Sequence, residues 1–116
     1  MNNNNDNSNN SNQTIHAEIS IFPIGTNSTS ISKEVTAAFD AIRKTKDIKV
    51  ATLTPMGTQV EVTDMRVILN CIQAAHEAVK STGAKRIVST IRIAERFDVS
   101  RTLEDEVKSV TEKLPD

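Results

Sequence analysis

The chain has 116 residues, of which 25% are charged and 37% hydrophobic, and its formal net charge is −1 at pH 7. This length predicts one domain. The balanced charge excludes a general binder of nucleic acids or anionic membranes, which would carry an excess of basic residues. Tryptophan and tyrosine are absent, so a site that stacks nucleobases on aromatic rings is not expected. The single cysteine, Cys71, excludes a disulfide or a cysteine-built zinc site within one chain.

The start of the chain differs in composition from the rest. Residues 2–12 contain eight asparagines, and such a tract cannot bury enough apolar surface to offset the entropy lost on ordering. We therefore predict a disordered, low-complexity tail over residues 1–13 and one domain over residues 14–116. A tolerated terminal extension is the simpler interpretation of the tail, and a prion-like interaction role is the alternative.

The sequence shows no pattern typical of a membrane helix or a secretory signal. No apolar run reaches the length that a membrane helix needs. The N-terminus also lacks the charged-then-apolar pattern of a secretory signal. A cytoplasmic protein without a membrane partner is therefore expected.

Hydrophobic periodicity divides the domain into strands with period two and helices with period 3.6. In the first strand, for example, Ile15, Ala17 and Ile19 alternate with polar neighbours. The predicted elements are a strand over 14–22, a helix over 31–45, strands over 48–54 and 58–62, a helix over 64–81, a strand over 86–93 and a final amphipathic helix over 103–114.

Turn and cap residues mark the ends of these elements. Ser30 or Ser32 is expected to cap the first helix, and Gly83 to close the second. Residues 55–57, with the sequence Pro-Met-Gly, form a predicted three-residue turn that joins the second and third strands in a hairpin.

The order β-α-β-β-α-β followed by a helix is typical of the ferredoxin-like fold. This α+β sandwich has a four-stranded antiparallel sheet with its helices on one face; here an extra C-terminal helix follows. The other face, called the open face below, must be solvated, paired with another subunit or occupied by a ligand.

Strand alternation assigns mostly short polar and charged side chains to the open face. A solvated face has the same composition, but these residues beside Phe22 and Val88 also suit a sheet that packs on another sheet around a polar ligand. Arg92 is expected to pair across strands with Glu18 or Glu61. The polar residues assigned to the open face are Glu18, Ser20, Thr52, Thr54, Gln59, Glu61, Thr90 and Arg92.

The residues that catalyse reactions in other proteins form no recognisable motif here. His16 and His76 are the only histidines, and neither has metal-ligand spacing. His76 is predicted to be a helix-surface or interface residue and Cys71 a buried structural thiol. Glu18 and Glu61 can in principle exchange protons, but nothing supplies a nucleophile or leaving group. We expect no catalytic residue, no metal and no cofactor, so the protein is predicted not to be an enzyme.

Several segments resemble one known family. The most specific is Thr-Pro-Met-Gly-Thr over residues 54–58, which follows Pro-Ile-Gly-Thr over residues 23–26. The other segments are residues 19–22, Ser30, residues 59–61, residues 75–79 (Ala-His-Glu-Ala-Val) and residues 83–88. Together they resemble the small thiamine-binding, YkoF-like family over residues 14–114.

The resemblance implies non-catalytic binding of thiamine or its hydroxymethylpyrimidine moiety near the sheet and the subunit interface. It also implies homodimers joined through their sheets, and often a dimer-of-dimers tetramer. The ligand-binding positions that it implies are Ser20, Pro23, Gly25, Thr26, Ser30, Thr54, Met56, Gly57, Thr58 and Glu61. The alternative is a structural or regulatory homo-oligomer without a small ligand, in which partner side chains fill the open face.

The chemistry of these residues suits an aminopyrimidine. Glu61 or Glu18 can accept a hydrogen bond from the amine, and serine and threonine hydroxyls can serve either as donors or as acceptors. A carboxylate also favours the cationic thiazolium of thiamine. Met56 can make a polarisable contact to the ring. Gly25 and Gly57 permit positive φ or close backbone approach, although ordinary turns require the same residues.

Overall fold

A computed structural model describes residues 13–115, which form a four-stranded antiparallel sheet with strand order β2-β3-β1-β4. This architecture confirms the predicted α+β ferredoxin-like fold with an extra C-terminal helix. Apart from Gln13, the predicted disordered tail lies outside the described residues. The elements are β1 (Ile15–Pro23), α1 (Ser32–Arg43), β2 (Val50–Thr54), β3 (Gly57–Val62), α2 (Met65–Ser81), β4 (Ile87–Glu95) and α3 (Leu103–Thr111).

The alternating apolar residues of the central strand β1 form the middle of the core. Ile15, Ala17 and Ile19 are buried on the face that α1 and α2 cover. The register places Val62 opposite Ile15 and Val60 opposite Ala17, so β3 contributes its own alternate residues to the same core. Each fully buried side chain of this size stabilises the fold by about 1.5–3 kcal/mol relative to an exposed one. The predicted division into two faces is therefore confirmed for β1 and β3, whereas Leu53 of β2 and Ile93 of β4, predicted to face the core, are exposed.

Helix α2 packs its apolar face against the sheet and completes the core. Ile68, Cys71 and Val79 have no exposed surface. Burial raises the pKa of the Cys71 thiol, because a thiolate loses its hydration in an apolar environment. The prediction that Cys71 is a buried thiol is confirmed. At the end of the helix, Gly83 adopts φ 102° and its N–H donates to the Lys80 carbonyl, as expected of a glycine that closes a helix.

The predicted cap of α1 is wrong, and several predicted element ends differ from the structure by two or three residues. The N-cap residue of α1 is Ile31, without a side-chain cap hydrogen bond. The serines bond among themselves instead: the Ser30 N–H donates to Ser28 Oγ at 3.0 Å, and the Ser30 and Ser32 hydroxyls lie 3.2 Å apart. Helix α3 ends at Thr111 rather than at 114, and residues 112–114 form turns.

The turn of the β2–β3 hairpin is also shorter than predicted. Thr54 pairs directly with Gly57, which belongs to β3, so the loop contains two residues instead of three. The reason is the position of Gly57 against the neighbouring strand. A Cβ atom at this residue would lie 2.9 Å from the carbonyl oxygen of Ile19, so only glycine lets the end of β3 approach β1 this closely.

We predict that Gly57→Ala lowers the free energy of unfolding by about 1–3 kcal/mol, the usual cost of forcing an extra methyl group into a packed site. Urea unfolding followed by circular dichroism measures this change. Gly25→Asn is the matched control, because Gly25 has φ 85° and a Cβ atom there would meet no atom within 4 Å, and asparagine tolerates positive φ. Equal losses in both variants would contradict a special role for the Gly57 contact.

We also predict that Cys71 makes the stability of the protein depend on pH in the alkaline range. Because the folded pKa is raised above the unfolded one, the stability that the buried thiol contributes is complete below the ordinary thiol pKa. It is lost as the pH rises above that value towards the folded pKa. Urea titrations between pH 7 and pH 10 should show this loss in the natural chain and a smaller one in Cys71→Ala. Parallel curves for the two proteins would contradict it.

Candidate functional site

Two cavities lie at different ends of β1. The first, which we call the hairpin cavity, has a volume of about 240 Å³ and is lined by Ile19–Phe22, by Leu53–Thr58, by Ile31 before α1 and by Val35 and Ala38 within it. The second, which we call the helix cavity, has a volume of about 540 Å³ and lies between α3 and the open face. The central strand thus contributes to both.

The hairpin cavity exists because β1 is longer than its neighbour β3. Pairing between these strands ends at Ile19 and Thr58, whereas pairing of β1 with β4 continues to Pro23. Alternate residues of an antiparallel strand direct their N–H and C=O groups toward opposite neighbours. Within residues 20–22, the side of β1 that faced β3 therefore has no strand partner, and backbone donors and acceptors there are available to a ligand.

Hydroxyl groups surround this unpaired edge. The Thr54 hydroxyl donates to the Gly57 carbonyl at 2.8 Å, which leaves its oxygen free to accept. Thr58 is only 4% exposed. Among residues 13–115, the Ser20 and Thr58 hydroxyls have no hydrogen-bond partner. Because a hydroxyl can donate and accept, the cavity offers several adaptable polar contacts.

Half of the residues predicted for ligand binding come together here. Ser20, Thr54, Met56, Gly57 and Thr58 line the hairpin cavity. The other half do not line it. Pro23, Gly25, Thr26 and Ser30 belong to the end of β1 and the connection to α1, where the Thr26 hydroxyl donates to the Ser28 carbonyl at 2.8 Å.

Apolar side chains at the mouth of the hairpin cavity are unusually exposed. Met56 is 78% exposed, and Phe22 and Leu53 are also exposed although they line the cavity. We call these three residues, together with exposed Ile24, the hairpin patch. Exposed apolar groups beside a cavity are typical of a surface that a ligand or another subunit covers.

The predicted ligand carboxylate of Glu61 holds the C-terminal helix. Glu61 lies on the open face opposite His16, as expected, but is only 3% exposed. Its Oε1 accepts a hydrogen bond from the Leu103 N–H at 2.8 Å and lies 4.0 Å from His16 Nε2. Sequence reasoning missed this role, because the partner is a backbone group 42 residues further along the chain, and backbone donors leave no signal in the residue pattern.

Two neighbours of Glu61 strengthen the attachment of α3. His16 Nε2 lies 2.9 Å from the Arg101 carbonyl oxygen, and the Thr14 hydroxyl donates to that same oxygen. Thr102 and Asp105 form a capping box at the start of the helix, and the hydrogen bond from the Thr102 N–H is the main cause of the lowered pKa of Asp105. The carboxylates around this N-terminus also interact favourably with the helix dipole.

The helix cavity has a mixed lining, which includes Ala17, Ile93 and Ala94 on the sheet side and Glu106 and Thr111 on the α3 side. His16, Glu18, Gln59 and Arg92 line it from the sheet, and Leu103, Val107 and Val110 line it from α3. Glu18 and Arg92 are opposite each other in the register, yet among the described residues Arg92 forms no ion pair with Glu18 or Glu61. The expected cross-strand ion pair is therefore wrong. Glu18 instead lies 3.5 Å from the Gln59 amide nitrogen.

The remaining candidates for chemistry have structural contacts. His76 is half-buried, and its Nε2 lies 2.9 Å from Ser89 Oγ, so it joins α2 to β4 rather than lying free on the helix surface. Within residues 13–115, no three His, Cys, Asp or Glu side chains are grouped so that they could hold a metal ion. In the same range no helix is long and apolar enough to cross a membrane.

Comparison with known proteins identifies the family. The family model described as thiamine-binding protein matches residues 17–111, which include all of α3 and every residue that lines the two cavities except His16. The chain belongs to the thiamine-binding protein family. The resemblance seen in the sequence is thereby confirmed.

Relatives from other organisms align over nearly their whole length. A UPF0045 protein of Methanothermobacter thermautotrophicus is 40% identical over 100 residues, which cover 86% of this chain and 99% of the relative. The UPF0045 protein YqgV of Bacillus subtilis is 36% identical over 101 residues, covering 84% and 95% of the two chains.

Solved structures have the same fold. A hypothetical protein from Methanocaldococcus jannaschii superposes with a TM-score of 0.75 at 35% identity, covering 85% of this chain and 97% of its own. A candidate thiamine biosynthesis/salvage protein from Thermotoga maritima has a TM-score of 0.69 at 18% identity, covering 84% and 98%. The second likeness concerns the fold alone.

We predict that Glu61→Ala detaches α3 from the sheet while the rest of the protein stays folded. The lost hydrogen bond involves a carboxylate, and such bonds contribute about 1.5–3 kcal/mol. Amide hydrogen exchange over residues 103–111 should therefore become about 10- to 100-fold faster. Glu104→Ala, which removes an exposed carboxylate from the same first turn, is the control. Unchanged exchange in Glu61→Ala would show that other contacts hold the helix.

Proposed function

We propose that this protein binds thiamine or its hydroxymethylpyrimidine moiety in the hairpin cavity, without catalysis, as a cytoplasmic homo-oligomer. The observation that supports this most is the place of the family's most specific segment. Residues 54–58 form the β2–β3 turn and line the cavity directly beside the unpaired edge of β1. Family membership supports the ligand class.

The hydrogen-bonding groups of an aminopyrimidine complement the unpaired backbone groups of β1. The ring offers an amine donor next to a ring-nitrogen acceptor, which complements a backbone C=O and N–H. The hydroxyls of Ser20 and Thr58 are available as additional partners. The ring faces would contact apolar side chains such as Phe22 and Val35, and Met56 can cover the ring with a polarisable sulfur.

Size and charge favour the pyrimidine ring as the buried part of the ligand. The volume of about 240 Å³ lies below the usual range of pockets that enclose drug-sized molecules. None of the residues that line the cavity is charged, so a neutral ring enters at lower desolvation cost than a cation. The thiazolium would remain at the mouth, near Met56. In this proposal Glu61 accepts the hydrogen bond from the start of α3 and does not contact the ligand.

A second copy of the chain would bury the hairpin patch and close the mouth of the cavity. Helix α3 covers the half of the open face near His16 and Glu18. Packing of sheet on sheet is therefore restricted to the other half, which includes Ser20 and Phe22 near the end of β1 and Thr90 opposite Ser20 on β4. We propose a dimer, or a dimer of dimers, formed through this half.

The alternative function is a homo-oligomer that carries no small ligand. The same patch supports it, because partner side chains such as Met56 could fill the hairpin cavity of the other subunit. The two functions differ in whether the assembled protein binds a pyrimidine.

Calorimetric titration of the full chain with thiamine and with hydroxymethylpyrimidine tests the proposed function. Saturable binding is expected, and Thr58→Val should weaken it about 2- to 10-fold, the effect of one lost hydrogen bond. Thr36→Val, an exposed position on α1 outside the cavity, is the control. Glu61→Ala should bind normally.

Two results would contradict the proposal. The absence of both heat and thermal shift with either compound would favour the oligomer without a ligand. Weaker binding in Glu61→Ala but not in Thr58→Val would place the ligand under α3 instead of in the hairpin cavity.

A further inference from the structure

Helix α3 is fastened at one end and unsupported along the rest of its length. Within residues 13–115, the hydrogen bonds between the sheet and the α3 region involve the segment 101–103. Val107 and Val110 face the helix cavity but are each 60% exposed, and no residue of α3 is buried. An amphipathic helix is stabilised mainly by burial of its apolar face. The apolar face of α3 is not buried against the sheet.

The floor of the helix cavity holds two opposite charges that do not neutralise each other. Glu18 and Arg92 occupy directly opposite positions on neighbouring strands, where Cβ atoms are about 4.5–5.5 Å apart. Their charged groups nevertheless form no ion pair, and the Arg92 side chain has no hydrogen-bond partner among the described residues. A carboxylate acceptor and a guanidinium donor thus lie on neighbouring strands below Val107 and Val110 of α3, Glu18 half-buried and Arg92 exposed to solvent.

We propose that the helix cavity is a second binding site, for a free α-amino acid with an apolar side chain. The ammonium group would bind Glu18, the carboxylate would bind the Arg92 guanidinium in the bidentate geometry that arginine favours, and the side chain would contact Val107 and Val110. This site is separate from the hairpin cavity and does not depend on the function proposed for it.

Charge balance selects this ligand class over simpler ions. A cation would leave Arg92 unmatched and an anion would leave Glu18 unmatched, whereas the third charged residue of the lining, Glu106, lies 3.8 Å from the Arg101 guanidinium. Enclosing an unpaired charge is costly, whereas a zwitterion matches both charges at once. The volume of about 540 Å³ lies in the range of small-molecule pockets. If α3 moved toward the sheet while its N-terminal end stayed attached, the volume of the cavity would decrease to that of the bound molecule.

Calorimetry and amide hydrogen exchange on the full chain test the site with L-leucine as the probe. Leucine is expected to bind saturably and to slow exchange over residues 103–111. Three analogues each lack one feature: isoamylamine has no carboxylate, 4-methylpentanoate has no ammonium, and glycine has no side chain. Each analogue should bind about tenfold more weakly or worse. Leucine that produces neither heat nor protection would overturn the proposal, as would equal binding of leucine and isoamylamine.

Matched variants locate the site. Arg92→Gln and Glu18→Gln should each weaken leucine binding about tenfold or more and leave pyrimidine binding in the hairpin cavity unchanged. Arg86→Gln, an exposed arginine just before β4, is the control. Circular dichroism checks that each variant is folded. Undiminished leucine binding in Arg92→Gln would overturn the assignment. If thiamine slowed amide hydrogen exchange over residues 103–111 and leucine did not, the assignment would also be overturned. That result would show that the cavity binds a cation.

Discussion

The register of β3 against β1 is the constraint on which the rest of the structure depends. Gly57 meets the Ile19 carbonyl so closely that no side chain fits between them, and from this point the two strands pair without interruption to Ile15 and Val62. A slip by one residue would turn Val60 and Val62 to the open face and place Gln59 and Glu61 in the core. The buried apolar residues and the position of Glu61 under α3 are therefore set by the same pairing.

The lengths of the strands then determine where ligands can enter. Because β1 continues past the start of β3, its free edge opens into a cavity that lacks charged side chains. At its other end the same strand passes beneath α3, where Glu18 and Arg92 form no ion pair with each other. The two cavities consequently differ in chemistry: the first suits a neutral ring that exchanges hydrogen bonds, and the second suits a molecule that carries both charges.

Most of the fold could be predicted because its signals are local. The alternation around Ile15, Ala17 and Ile19 marks a half-buried strand, and Gly83 marks the end of a helix, since these patterns reflect the backbone geometry of a few consecutive residues. The cap of α1 was wrong because the serines before the helix bond to one another and to each other's backbone N–H groups, and residue type alone does not decide which hydrogen bonds form.

The candidate site was predictable only in part. Strand alternation correctly placed Glu61 on the open face, but it carries no information on what lies above that face. The covering of Glu61 by α3 depends on the path of the chain after β4, and the hairpin cavity depends on a difference in strand length. Both are properties of the assembled sheet, and no short segment of sequence contains them.

The attachment of α3 through a main-chain N–H has a consequence for how this helix can change over evolutionary time. Every amino acid except proline supplies that donor at position 103, so substitutions along the helix can alter what it covers without releasing it from Glu61. Proline is also the residue that the first position of a helix accepts most readily. A single replacement by proline there would keep the helix intact yet remove its hydrogen bond to Glu61, leaving only the contacts of Thr14 and His16 with the Arg101 carbonyl. Of the two partners in that hydrogen bond, the carboxylate at position 61 is the one that depends on residue type.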